Sequence, residues 1–89
     1  MGQCQLTFQI QVPTTELLSQ IQKLAQEYDG QFQGDEKSGR VALHFILGSI
    51  EGEYTIEGTE LHLTITKKPF LVGCETIGST IVEHVTALA

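Results

Sequence analysis

Two histidines and a glutamate in the middle of the chain have the residue types of a small metal site or an acid and base pair. They are His44, Glu53 and His62. Imidazole and carboxylate groups bind Zn²⁺ and exchange protons near neutral pH, so the three together on one surface would provide either chemistry. The alternative is a set of ordinary cross-strand contacts on an open, water-exposed sheet surface, and this is the interpretation we expect.

Three predicted strands and two turns decide whether these side chains meet. Three segments alternate apolar and polar side chains as strands do, namely residues 41–47, 50–57 and 60–66. Gly48-Ser49 and Gly58-Thr59 lie between them, and a Gly-first pair suits a two-residue hairpin turn. With these turns, His44 lies opposite Glu53, and His62 lies diagonal to Glu53. The same register predicts one polar face and one continuous apolar face.

The remaining elements complete a small mixed fold. They are a strand at 6–12, a helix at 14–29, a short edge strand at 31–33, a loop at 34–39 and a helix from about Cys74 to Leu88. The predicted fold class is α+β, with a single antiparallel five-stranded sheet and two helices packed on one face. The order is β-α-β-β-β-β-α, and we expect residues 1–89 to form a single domain.

This order of elements resembles the TATA-binding-protein-like and helix-grip folds, in which an antiparallel sheet wraps a long C-terminal helix. Within that group, the chain is similar to the small polyhydroxyalkanoic-acid-system proteins. The similar features are a helix-1 stripe ending at Tyr28, a Gly-rich meander and Lys68-Pro69-Phe70 before an Ile-bearing final helix. The resemblance covers nearly the whole chain and is topological. It implies a non-enzymatic accessory role near polymer granules and no catalytic residues, although a fold alone does not establish function.

The resemblance also implies that the first strand pairs with the last strand, which would bring Cys4 near Cys74. Neither cysteine belongs to a CxxC motif. A disulfide is then geometrically feasible, but a cytoplasmic location favours two reduced thiols, and this is our expectation. Cys74 at the start of a helix has the setting of a nucleophilic thiolate, and the alternative is a small apolar residue in the first turn.

Apolar residues of the sheet and the second helix predict a groove between these two elements. They are Phe45, Tyr54, Leu63, Phe70, Ile77 and Ile81. In larger helix-grip proteins such a groove holds a ligand, whereas in so short a chain the same residues can simply fill the core, which we favour. Gly52 on the same face either leaves spare room or accepts a bulky ring from across the interior.

Composition and motifs exclude several classes of function. Eleven acidic residues against five Lys and Arg give a net charge of -6, so there is no basic surface for nucleic acid. No apolar run approaches the roughly 20 residues that span a bilayer, and the first residues have neither the charged start nor the apolar core of a secretory signal, so we expect a cytoplasmic protein. No P-loop, dinucleotide fingerprint or nucleophile elbow occurs, and no cofactor is expected.

These observations favour a small non-catalytic accessory, binding or assembly module. It would hold an apolar ligand or partner between the sheet and the C-terminal helix, or self-associate into a homodimer through its sheet. The alternative is a minimal enzyme or metal-binding protein that uses His44, Glu53 and His62. Of the two, an enzyme is the less favoured hypothesis.

Overall fold

Five antiparallel strands form one sheet, and two helices cover one of its faces. The computed structural model describes residues 4–45 and 48–89, with the backbone alone at Phe45. Its elements are β1 (Cys4–Gln9), α1 (Thr14–Glu27), β2 (Gln31–Gly34), β3 (Ser38–Phe45), β4 (Gly48–Glu57), β5 (Glu60–Lys67) and α2 (Cys74–His84). The strand order across the sheet is β1-β5-β4-β3-β2, and all neighbours are antiparallel. The predicted fold class is therefore confirmed.

The core lies between the apolar face of the sheet and the inward stripes of the helices. Alternation along β5 buries Leu61, Leu63 and Ile65, while the side chains between them stay on the polar face. Leu17 of α1 and Ile77 of α2 are buried against this face. Because a fully buried apolar side chain contributes about 1.5–3 kcal/mol, packing on the sheet holds the helices in place. No helix in the described ranges is long and apolar enough to cross a membrane.

The hairpin between β4 and β5 has the predicted register. Ile56 pairs with Leu61, and Tyr54 pairs with Leu63. Gly58 at the turn has a φ of 59°, a left-handed conformation that glycine adopts without steric cost. The sequence therefore located this turn correctly.

The hairpin between β3 and β4 differs from the prediction. Phe45 pairs with Gly48, so Gly48 and Ser49 belong to β4, and the predicted turn at Gly48-Ser49 is wrong. The partner of Leu43 is Ile50, four residues away from the predicted partner. Side chains alternate between the two faces of a sheet, so a shift by an even number of residues leaves each described side chain on its predicted face. Residues 46 and 47, for which a strand was predicted, lie outside the described residues.

The shifted register provides space for the ring of Tyr54. Gly39 pairs with Tyr54, and a Cβ atom added at Gly39 would lie 2.6 Å from Tyr54 Oη. Phe32 stacks on the same ring, with centroids 6.0 Å apart. The Tyr54 hydroxyl donates a hydrogen bond of 2.8 Å to the Asp35 carbonyl oxygen. In the predicted register Leu43 would have occupied the position of Gly39, so the ring selects the observed pairing.

Substitution of Gly39 by alanine should lower the free energy of unfolding by about 1–3 kcal/mol, because the added methyl group overlaps the Tyr54 ring. Urea denaturation monitored by circular dichroism measures this change. Gly78→Ala provides the matched control, since its Cβ would be 3.8 Å from Leu6 Cδ2, an ordinary contact. That variant should gain about 0.5–1 kcal/mol from helix propensity, and equal effects of the two substitutions would contradict this description.

The second helix is shorter than predicted. It ends at His84, and the following residues turn back to β1 instead of continuing the helix to Leu88. Leu88 forms a bridge with Ile10, while Gln9 and Ala89 exchange backbone hydrogen bonds of 2.9 and 3.0 Å. These contacts bury Leu88 and pair backbone groups beyond the end of β1, which explains why the helix stops.

A disulfide joins Cys4 at the start of β1 to Cys74 at the start of α2. Their Cα atoms are 5.7 Å apart, and 70 positions separate them in the sequence. The pairing of β1 with β5, which places Cys4 opposite Ile65, brings the two cysteines together. The prediction of two reduced thiols is therefore wrong, and a bridged Cys74 has no thiolate for nucleophilic chemistry.

Candidate functional site

The predicted polar constellation is not assembled. His44 lies opposite Ser49 instead of Glu53, because the β3–β4 register differs by four residues. Glu53 is opposite Arg40, and a salt bridge of 3.2 Å joins Arg40 Nη2 to Glu53 Oε1. Both side chains are more than half exposed, and such exposed pairs contribute about 0–1 kcal/mol.

His62 keeps its predicted diagonal position to Glu53, but its imidazole lies close to two other side chains. Its Nδ1 lies 3.4 Å from Thr7 Oγ1, and its Nε2 lies 3.5 Å from Glu60 Oε1. His62 and Glu53 border one shallow depression on the polar face, whereas His44 does not. Within the part of the chain that the structure describes, no group of three His, Cys, Asp or Glu side chains could hold a metal ion. The polar face therefore presents separate surface pairs.

The opposite face of the sheet contains an apolar cavity of about 290 Å³ beneath the helices. Four of the six predicted groove residues line it, namely Tyr54, Leu63, Ile77 and Ile81. Further aliphatic side chains come from α1, β3, β4 and β5, among them Leu24, Val41, Leu43 and Ile50. The cavity is partly enclosed, and its volume is close to the lower end of the range for small-molecule sites.

Phe70 is the predicted groove residue that the structure places elsewhere. It is 93% exposed and its neighbour Leu71 is 85% exposed. Val72 N donates to Pro69 O at 3.1 Å, and Lys68 Nζ donates to Val72 O at 2.8 Å. These two hydrogen bonds form a turn that holds Phe70 and Leu71 away from the core. The side chain of Phe45, the sixth predicted residue, lies outside the described residues.

The position of α2 explains why space remains under it. Ile77 is the buried residue of this helix, while Ile81 one turn later is only half-buried. Gly52, which the sequence suggested as a source of spare room, is instead crowded. A Cβ atom there would lie 3.1 Å from Thr64 O and 3.2 Å from Leu63 Cδ1. The free volume therefore lies toward the helices and not at the glycine.

Three polar residues at the cavity were not predicted as site residues, namely Tyr28, Thr80 and His84. The Tyr28 and His84 rings meet edge to face, with centroids 6.4 Å apart. Thr80 and His84 are four positions apart on α2 and so lie on the same side of the helix. Both are exposed, so they lie at the mouth of the cavity. In the sequence, the helical spacing of Ile77, Thr80, Ile81 and His84 could have identified Thr80 and His84 as site residues.

Tyr54 contributes its ring to the cavity wall while its hydroxyl is engaged elsewhere. Burial raises the pKa of Tyr54 to about 12, and the neighbouring Asp35 carboxylate adds to the rise. That carboxylate accepts hydrogen bonds from Ser38 N and Lys37 N at 3.0 and 2.8 Å, and these hold the pKa of Asp35 below its usual value. The β2–β3 connection is thus a hydrogen-bonded turn against which Tyr54 is anchored.

The raised pKa of Tyr54 predicts a loss of stability at alkaline pH. Above about pH 10 the unfolded chain releases the phenolic proton while the folded chain retains it until about pH 12. The free energy of unfolding should therefore fall as the pH rises through this interval. Urea denaturation at several pH values tests this, with tyrosinate absorbance reporting ionisation. Tyr54→Phe should remove this part of the pH dependence, and an unchanged profile in the variant would refute the assignment.

Comparison of the chain with protein-family models, with curated proteins and with solved structures finds no match. The geometry of the cavity is accordingly the basis for a functional proposal.

Proposed function

We propose that this protein is a small non-catalytic binding module that holds an apolar small molecule in the cavity between the sheet and α2. The observation that carries the proposal is the cavity itself. Protein interiors contain few voids larger than a water molecule. A volume of about 290 Å³ corresponds to about ten water molecules in the liquid. Because its walls are largely aliphatic, water gains few hydrogen bonds there, and an apolar ligand would be favoured over solvent.

The volume limits the size and affinity of the ligand. If each water-sized unit corresponds to one carbon or oxygen atom, the cavity takes about ten such atoms. Burial contributes about 0.8 kcal/mol for each methylene group, and the loss of translational and rotational freedom opposes it. About nine such groups contribute about 7 kcal/mol before that loss, so we expect dissociation constants no tighter than about 10 μM.

Fluorescence of 1-aminonaphthalene tests the proposal, since this uncharged dye has about as many non-hydrogen atoms as the cavity takes and brightens in apolar surroundings. Titration of the purified chain with the dye should give a saturable rise in emission, and nonan-1-ol should reverse it. An excess of nonan-1-ol should also raise the melting temperature, because a ligand that binds only the folded state stabilises it. A linear, non-saturable response without stabilisation would refute the proposal.

Self-association is a second candidate function, and the exposed pair Phe70 and Leu71 supports it. Large apolar side chains exposed to this extent are typical of surfaces that contact another molecule. Sedimentation velocity of the natural chain and of a Phe70→Ser, Leu71→Ser variant distinguishes a dimer assembled through this turn from a monomer. A dimer that the variant converts to a monomer would support assembly through this turn, and a monomer in both cases would exclude it.

The resemblance to polyhydroxyalkanoic-acid-system proteins adds a cellular setting to this proposal, namely an accessory role near polymer granules. An apolar cavity suits a protein that works beside apolar material. A cytoplasmic location stays a prediction, and the Cys4–Cys74 disulfide argues against it, since disulfides persist mainly in oxidising compartments. Trapping of thiols in freshly lysed cells, followed by mass spectrometry, would determine the redox state in the cell.

A further inference from the structure

The cavity has a polar side and an apolar side. Among its lining residues Tyr28, Tyr54, Thr80 and His84 carry polar side-chain groups. The Tyr54 hydroxyl is directed to the Asp35 carbonyl oxygen, so Tyr54 presents only its ring to the cavity. The other three residues lie together where α1 ends and α2 approaches its last turn. A ligand that satisfies both sides has one hydrogen-bonding end and an aliphatic body.

The mouth offers groups that recognise a hydroxyl or carbonyl. Thr80 Oγ1 donates to Thr76 O at 2.8 Å and keeps lone pairs with which it can accept a hydrogen bond. His84 contributes an imidazole, which can donate or accept according to its tautomer. An alcohol or amide at the end of a chain could exchange hydrogen bonds with both residues while its hydrocarbon part enters the cavity.

The charges next to the mouth along the two helices are mainly negative. Among the described residues that line the cavity there is no lysine or arginine. Glu83 follows Thr80 by three positions on α2, so the two side chains are neighbours on the helix surface. Glu27 and Asp29 flank Tyr28 in the sequence, Lys23 lies one turn before Glu27, and all four charged side chains are exposed. His84 also occupies the last turn of α2, where the carbonyl oxygens of the helix end carry partial negative charge. A carboxylate held at this mouth would therefore be repelled by its surroundings.

We infer that the ligand is an amphiphile of about ten non-hydrogen atoms with a non-anionic, hydrogen-bonding end group, and that the acidic mouth discriminates against fatty-acid carboxylates. This inference rests on the proposed function, because it specifies the ligand of the same cavity. The aliphatic body of the ligand lies in the space beneath Ile77 and Ile81. The end group lies beside Thr80 and His84.

Competition against 1-aminonaphthalene tests the inference with nonan-1-ol and nonanoate, which share a chain length and differ in end group. At pH 8 the alcohol should displace the dye at a concentration about tenfold lower than the carboxylate. Glu83→Lys replaces a negative charge beside the mouth by a positive one without changing the cavity wall. This variant should bind nonanoate at least fivefold more tightly than the natural chain does, and nonan-1-ol with unchanged affinity. The affinity of Glu83→Gln for nonanoate should lie between those of the natural chain and Glu83→Lys.

The other outcomes of this competition experiment separate the end-group inference from the cavity proposal. Equal binding of the two compounds to the natural chain would overturn the end-group inference while leaving the cavity proposal intact. Tighter binding of nonanoate than of nonan-1-ol would do the same. Failure of both compounds to displace the dye would refute the proposed function and the inference together. An equal change for both compounds in Glu83→Lys would show that the residue acts on the structure and not on the charge of the ligand.

Discussion

Reduction of the disulfide between Cys4 and Cys74 should lower the free energy of unfolding by about 4 kcal/mol. The bridge closes a loop of about 70 residues, and chain-entropy arguments give about 3 kcal/mol for a loop of 15 residues and about 4.7 for one of 100. A small domain loses roughly 4–8 °C of melting temperature for each kcal/mol, so the midpoint should fall by on the order of 15–30 °C. Differential scanning calorimetry with and without a phosphine reductant measures this shift.

The Cys4→Ala, Cys74→Ala double variant controls for effects of the reductant itself. It should melt close to the reduced natural chain and should not respond to the phosphine. Cys4 is buried and Cys74 half-buried, so alanine leaves only a small void at either position. A natural chain that contains two titratable thiols after oxidative purification would contradict the bridged structure, as would equal melting temperatures in both redox states.

Filling the cavity should abolish most of the ligand affinity. Ile81→Phe adds three carbon atoms to a half-buried side chain in the cavity wall, so that the ligand loses an equivalent volume. At about 0.8 kcal/mol for each lost methylene group, the dissociation constant for nonan-1-ol should rise about 50-fold. The stability of the ligand-free chain should stay the same or rise by about 0.5–2 kcal/mol, because the new ring occupies empty space.

Val82→Phe is the matched control for this variant. Val82 is the next residue on the same helix, is 39% exposed and does not line the cavity. This substitution should leave the affinity for nonan-1-ol within about twofold of the natural value, since outward changes remove no cavity volume. Isothermal titration calorimetry provides the comparison. An equal loss of affinity for nonan-1-ol in the two variants would mean that a ring on α2 disturbs the helix. Unchanged affinity in both variants would mean that the ligand binds elsewhere.

The fold could be predicted because its local signals agree with its hydrophobic pattern. Alternation identified the strands of the meander, and Gly58-Thr59 identified the β4–β5 turn. The β3–β4 register could not be deduced in the same way. Any shift by an even number of residues keeps the apolar face intact, so the pattern cannot choose between registers. The choice depends on the fit of the Tyr54 ring over Gly39, which is a property of the packed structure.

Part of the cavity lining could be predicted for similar reasons. Inward positions on the sheet and α2 follow from periodicity, and four residues predicted for the groove line the cavity, namely Tyr54, Leu63, Ile77 and Ile81. Phe70 precedes α2 in a turn whose hydrogen bonds, not a periodic pattern, direct its side chain outward. The empty volume itself is a shortfall of packing between helices and sheet, and residue types alone do not report it.

The pairing of the cysteines illustrates a further limit of sequence reasoning. The topology suggested that the two sulfur atoms could meet, but the choice between thiols and a bridge was based on an expected compartment. The structure shows the bridge. This bridge anchors the first turn of α2, the helix that covers the cavity.

The central claim is that an apolar molecule occupies the cavity, and intermolecular nuclear Overhauser effects test it most directly. In a methyl-labelled sample saturated with nonan-1-ol, the methyl groups of Leu63, Ile77 and Ile81 should show such effects to the ligand chain. The effects should disappear in Ile81→Phe and persist in Val82→Phe. Contacts from Leu71 alone, or the absence of any contact from the three cavity residues, would contradict the claim.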